Sequence, residues 1–241
     1  MCGRYSVARP DEDVAREFDV KVVADESPGP SWNVAPTQSA RVVLERLPSK
    51  RGAEDAEGVQ RMLRTARWGL VPSWAKDLKV GNRLINARSE TITEKPAFKA
   101  AAARRRCLVP ADGYYEWQNT EQGKVPYFLH RDDELLAFAG LYELWPDPDR
   151  DEDDPDRWLW SYTILTHPAP DALGHVHDRS PVLVPPGGLR DGWLNPELTD
   201  PAKVRELLAA MPEPGLQPRR VSNAVNSPKN NTPDLVAPVS D

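Results

Sequence analysis

Of the two cysteines in this 241-residue chain, one, Cys2, stands directly behind Met1 in "MCGRYS". The first residues of most chains are frayed and tolerant of change, so a cysteine there is ordinarily inert. Removal of Met1 would change its chemistry. It would leave Cys2 with a free α-amine and a thiol on adjacent carbons, a pair that no internal position offers. In an extended chain Cys2 and Arg4 fall on one face. Three other stretches carry polar side chains at notable places. In "RLINARSE" Ile85 and Ala87 are expected to face the core, with Asn86 and Arg88 pointing together to the other side. In "DGYYEWQ" Glu116 shares a face with Tyr114, and Trp117 turns the opposite way. In "HVHDRSPVLV" a histidine and an arginine sit just before an apolar strand. A thiol, a carboxylate, an imidazole and an amide are the residue types of nucleophilic chemistry with acid–base assistance. Each of them alone reads as an ordinary solvated side chain.

Other chemistries lack their signals. There is no glycine-rich phosphate loop and no C-x-x-C pair. The four histidines, His130, His167, His175 and His177, show no metal-ligand spacing with acids, and "HVH" lacks a third ligand. No metal and no cofactor are expected. Cys107 in "RRCLVPA" lies in an apolar strand and reads as core filling. His130 and His167 adjoin strand ends and are assigned no catalytic role.

The elements that must position these residues are short. "PDEDVAREFDV" predicts a helix capped by Asp11, with Val14, Ala15 and Phe18 on one face. "ARVVLERL" and "RMLRTARWGL" predict strands around the polar insertion "PSKRGAEDAEG", read as a hairpin loop. "EKPAFKAAAARRR" predicts a helix opened by Pro96, and its "RRR" reads as a polar helix end. "RCLVPADGYYEWQ", "VPYFLHR", "ELLAFAGLYEL" and "WLWSYTILT" are strand-like, and "PAKVRELLAAM" is a helix. With 25 prolines and no βαβ alternation, the fold class is α+β: one domain over 1–241, mostly antiparallel β in a barrel-like sheet, flanked by short helices.

Composition narrows the setting. No apolar run approaches a membrane span, and the N-terminus lacks a signal-peptide pattern. Two cysteines fit a reducing compartment, so a cytoplasmic protein is expected. The net charge of −6 would oppose nucleic-acid binding, but "DPDRDEDDPDR" (Asp147–Arg157) holds seven acids and two arginines and so supplies −5 of it. That stretch, around 146–157, reads as a solvated acidic loop and leaves the remainder nearly neutral.

Taken in order, "MCGRY", "WNVAPTQ", "RWGLVPSWAK", "LINARSET", "FKAAAARRRCLVPADGYYEW", "FAGLYELW" and "HDRSPVLV" resemble the signature blocks of the SOS-response-associated peptidase (SRAP) family. The resemblance runs from residue 2 to "VSNAVNSPKNNTPDL", essentially the whole chain. It implies a single SRAP domain that binds single-stranded DNA and links covalently to abasic sites in the DNA damage response. It places the catalytic residues at Cys2, exposed by Met1 removal, Asn86, Glu116 and His177, the histidine that precedes "DR". Arg4, Trp74, Arg88, Trp117 and Thr166 match positions that contact DNA or line the cleft in that family. Ser180 departs from the family pattern, which has methionine there.

The implied chemistry suits these residues. An abasic sugar exposes an aldehyde, and an α-amine of ordinary pKa near 7.7–8.0 is partly neutral at pH 7. Its attack gives a Schiff base, and the thiol of the same residue then closes a thiazolidine ring. Glu116 is the expected general acid–base, His177 serves the ribose oxygen, and Asn86 orients by hydrogen bonding. Arg4 and Arg88 suit phosphates, and Trp74 and Trp117 suit bases. The expected partner is single-stranded DNA containing abasic sites, bound by a monomer with no membrane and no metal. Two rivals use the same residues. A cysteine peptidase or hydrolase would pair Cys2 with His177, its only cut being at Met1–Cys2 in the narrowest case. A non-covalent modified-cytosine reader would keep the cleft and tryptophans but leaves Cys2, Glu116 and His177 without a task.

Overall fold

The computed structural model describes residues 2–47, 58–168, 179–213 and 215–239. In chain order they form β1 (Tyr5–Val7), α1 (Asp11–Glu17), β2 (Val22–Val23), β3 (Ser31–Val34), β4 (Ser39–Arg46) and β5 (Gln60–Trp68). There follow β6 (Asn86–Arg88), α2 (Lys99–Arg104), β7 (Arg106–Ala111), β8 (Gly113–Thr120) and β9 (Gly123–His130). The rest is β10 (Leu136–Pro146), β11 (Trp158–Pro168), β12 (Arg179–Pro181), α3 (Gly188–Leu194), α4 (Pro201–Ala209) and β13 (Gln217–Arg220).

Five strands close into a barrel. Antiparallel neighbours run β11-β10-β7-β4-β5, and a parallel pairing of β5 with β11 (Arg67↔Ser161, Trp68↔Tyr162) shuts the ring. Alternation along these strands decides what is inside. Val42 and Leu44, Ala66 and Trp68, Cys107 and Val109, Phe138 and Tyr142, and Tyr162 and Ile164 share the inner cluster. Val43, Leu63, Leu108, Ala139, Leu141 and Leu165 face outward, where Val14 and Phe18 at α1, Ala101 of α2, Trp193 of α3 and Val204 of α4 cover them. Gly140 permits the close approach of β7 and β10. A Cβ there would stand 2.9 Å from the Cys107 sulfur and 3.0 Å from the Thr163 carbonyl oxygen.

A second antiparallel sheet, β13-β9-β8-β1-β3, sits against the barrel. Its inner residues Tyr5, Val7, Val34, Tyr114 and Leu129 continue the barrel core. The joint between the two sheets is Asp112. Its carboxylate accepts hydrogen bonds from the Ala8 amide (2.7 Å), Ser6 Oγ (3.2 Å) and Arg9 Nε (3.3 Å). "RCLVPADGYYEWQ" is therefore two strands in two sheets, not one.

Other expectations need local correction. Asp11 does not cap α1; Pro10 holds that position, and the Asp11 carboxylate pairs with Arg41. The helix expected from Pro96 begins at Lys99, because residues 94–98 form turns first. Of "RRR", Arg106 is buried and donates to Ala102, Ala103, Trp193 and Asn195 carbonyls, tying α2 to α3, while Arg105 pairs with Glu143 at 2.7 Å. The insertion "PSKRGAEDAEG" lies almost wholly outside the described residues. The acidic stretch joins β10 to β11, with Arg150 reaching Asp154 at 3.0 Å.

Candidate active site

The named pairings of β1 begin at Tyr5 (Tyr5↔Val34, Tyr5↔Tyr114), and the Arg4 carbonyl still accepts from the Tyr115 amide at 2.9 Å, but no strand pairing reaches Cys2. The expectation that Cys2 and Arg4 share a face is therefore overturned. Cys2 is fully buried in the barrel cluster with Tyr5, Trp68 and Tyr162. Arg4 turns outward instead, donating to Asn33 Oδ1 (2.8 Å) and to the carbonyls of Val225 (2.9 Å) and Asn226 (3.3 Å).

Two predicted partners flank Cys2. Asn86 opens β6, which lies parallel to β11 in the register Asn86↔Ile164 and Arg88↔Thr166. Its Nδ2 donates to the Cys2 carbonyl at 2.7 Å, and its buried Oδ1 has no hydrogen-bond partner among the described residues. Glu116 on β8 is only 4% exposed and lies on the Tyr114 side of the strand. Burial pushes the Cys2 thiol pKa up, and the nearby Glu116 charge pushes it further, so the thiol stays protonated at neutral pH. Above them opens a cleft of about 580 Å³ whose walls include Gly3, Arg4, Glu116, Trp117, Lys124 and Asn226. The Glu116 carboxylate, whose charge reaches the Cys2 thiol, thus lines a cleft whose walls also carry two cations and an indole.

Arg88, Trp74 and Thr166 are not among the described residues that line this cleft. Arg88 is exposed, and its guanidinium makes no ion pair or hydrogen bond among the described residues. Trp74 is 63% exposed, on a loop fixed where the Trp145 indole donates to the Ala75 carbonyl at 2.7 Å, so it is not core packing. Thr166 is 1% exposed and faces no solvent: its hydroxyl and carbonyl accept from Arg179 at 3.1 and 2.6 Å. Arg179 also forks onto Glu90 at 2.8 and 2.7 Å, which leaves Thr166 a support for that ion pair. His175 and His177 fall outside the described residues. Ser180 is buried.

Cys107 fills the barrel core, as expected. His130 is buried, stacks on Phe128 at 5.6 Å, and has its pKa lowered chiefly by burial. His167 is shifted down for the same first reason. Among the described residues no cluster of histidine, cysteine and acids has the makings of a metal site. No described helix is long and apolar enough to cross a membrane.

Sequence reasoning missed Asn33, Asn226, Glu90 and Arg179. All four stand inside or beside the quoted blocks, but polar residues at those positions read as solvated until their partners, up to 222 residues away for Asn226 and Arg4, are brought together.

A mixed-sheet barrel that buries an N-terminal cysteine beside an amide and a carboxylate, under a basic-rimmed cleft, is a protein organised around its own second residue. The chain belongs to the SOS response associated peptidase (SRAP) family, whose model matches residues 1–228. It is 37% identical over 239 residues to the abasic site processing protein YoqW of Bacillus subtilis, covering 98% of this chain and 99% of that one. It is 32% identical over 233 residues to the abasic site processing protein HMCES of Gallus gallus, covering 87% and 66%. Among solved structures, a protein from Bacteroides thetaiotaomicron superposes with a TM-score of 0.77 at 22% identity, over 99% of this chain and 100% of that one. A phage-related protein from Bordetella bronchiseptica gives 0.63 at 30% identity, over 91% and 94%.

Proposed function

We propose that this chain senses abasic sites in single-stranded DNA and traps them as a covalent thiazolidine crosslink through Cys2 once Met1 has been removed, shielding the lesion in the cytoplasm. The observation that carries this reading is the placement of Cys2: buried, tied by Asn86 at 2.7 Å, and within the field of Glu116 at the floor of the cleft. The names of the relatives point the same way.

The α-amine of Cys2 attacks C1′ of the open-chain sugar, and the carbonyl oxygen takes up a proton to give a carbinolamine. Glu116 protonates the departing hydroxyl, which leaves as water, and the C=N bond forms. The thiol sulfur then adds to the imine carbon, its proton passing by way of the Glu116 carboxylate to nitrogen. The net change is loss of one water. A thiol held protonated needs such a base, and in this reading Glu116, whose charge reaches Cys2, takes that part. Asn86 fixes the Cys2 carbonyl and so the direction of the amine. Ring closure is intramolecular, which makes it fast compared with a second encounter. His177 takes the ribose-oxygen role, and Arg4, Arg88, Trp74 and Trp117 the strand.

The hydrolase rival differs in what it needs: a thiol alone would suffice, a peptide substrate would turn over, and blocking the α-amine would leave activity intact. The deciding experiment incubates protein of verified N-terminus with a single-stranded oligonucleotide bearing one abasic site, followed by a denaturing gel. A shifted band is expected, absent with Cys2→Ala and with an added N-terminal residue. No band from protein with a free Cys2 amine overturns the reading.

A further inference from the structure

Trp117 on β8 and Arg4, the residue before β1, both line the cleft. Both end on the same distant residue. The Trp117 indole Nε1 donates to the Asn226 side-chain Oδ1 at 2.7 Å, and the Arg4 guanidinium donates to the Asn226 main-chain carbonyl at 3.3 Å. Asn226 closes the 3₁₀ turn Asn223–Asn226, in a C-terminal segment laid over the outer face of β8 and β9. Val221, Val225 and Leu235 anchor that segment apolarly against Tyr115 and Phe128.

Asn33 of β3, 1% exposed, supplies the polar anchor. Its Nδ2 donates to the carbonyls of Val225 (3.3 Å), Ser227 (3.0 Å) and Asn230 (3.0 Å), while its Oδ1 accepts from Arg4 at 2.8 Å. A buried amide satisfied on every side fixes the backbone that it touches. The turn is thereby locked in place, and Asn226 is delivered to the cleft rim with its side-chain oxygen toward Trp117.

We infer that Asn226 is a positioning residue for strand binding: through its side chain it sets the Trp117 indole, and through its carbonyl it holds Arg4, before DNA arrives. Arginine and tryptophan at a rim are otherwise free to sample rotamers, and ordering them on binding weakens affinity. The clasp removes that cost in advance. This inference rests on the proposed reading that the cleft receives single-stranded DNA.

Non-covalent binding of an unmodified single-stranded oligonucleotide, read by fluorescence anisotropy in a Cys2→Ala background, separates the two ideas. Asn226→Ala is expected to weaken binding about threefold to tenfold, the effect of one hydrogen bond. Trp117→Phe, which keeps a ring and removes the N–H, should cost a similar factor, and the double variant should cost no more than either alone. In the native-cysteine protein the Asn226→Ala loss should fall on the half-saturating DNA concentration more than on the rate at saturation. The Trp117 indole N–H, assigned by its disappearance in Trp117→Phe, should exchange with solvent faster in Asn226→Ala. Unchanged binding, additive losses, or an unchanged indole exchange rate would overturn the positioning role even if crosslinking proceeds. Binding that responds as expected while wild-type protein forms no crosslink would uphold it and sink the covalent chemistry alone.

Discussion

At Cys2 the environment works against the thiolate. Burial and the Glu116 carboxylate both favour the neutral thiol, so in the proposed chemistry the amine makes the first bond to the aldehyde and the sulfur follows when a base takes its proton. Glu116 carries both transfers in this scheme. Glu116→Gln keeps the volume and loses the proton exchange, so the single-turnover crosslinking rate should fall on the order of a hundredfold. Stopped-time gels on abasic single strands measure this directly; a wild-type rate would remove Glu116 from the mechanism. The residue types were legible in the sequence. Their surroundings were not, because alternation misplaced Cys2 relative to Arg4 where the chain runs beyond the pairing of β1.

Among the elements, β6 matters most for its length. Three residues carry Asn86 and Arg88, and so short a strand has little hold of its own. It is secured by parallel pairing with β11 and, just beyond its end, by the forked Glu90–Arg179 ion pair. Arg179 holds the Glu90 carboxyl down at about 2, against an ordinary 4.5. A depressed folded-state pKa contributes stability that is fully present above about 4.5 and is lost as pH falls toward about 2. The Glu90 side chain is 43% exposed, so solvent screening reduces the contribution to about 1 kcal/mol. Glu90→Gln should be less stable than wild type by that amount at pH 7, with the gap closing between pH 4.5 and pH 2. Urea midpoints across that range test it, and a gap that stays constant with pH would exclude the ion pair as its source.

Over the whole molecule, the negative charge is concentrated in one stretch. The hairpin between β10 and β11 carries most of the net −6, while the cleft rim offers Arg4 and Lys124, and exposed Arg88 follows Asn86 on β6. Only a few phosphates can be neutralised by so small a set. With about three contacts on a single strand, log K should fall against log salt with a slope of about −2. Anisotropy titrations between low and physiological salt provide the slope. A value of about −5 or steeper would require a basic surface other than this one.

Strand content was legible in the sequence alone, because period-2 alternation is local, and so were the residue types of the candidate site, because chemistry belongs to side chains. The sequence also carried the family resemblance, since ordered blocks need no coordinates. Tertiary structure decided the rest. The parallel pairings that close the barrel and seat β6 join strands distant in the chain, and no local pattern encodes them. The split of "RCLVPADGYYEWQ" between two sheets depends on what Asp112 bonds to. Asn33 and Asn226 acquired meaning only when residues nearly two hundred positions apart were folded together, because a hydrogen bond is set by distance in space and not by distance along the chain.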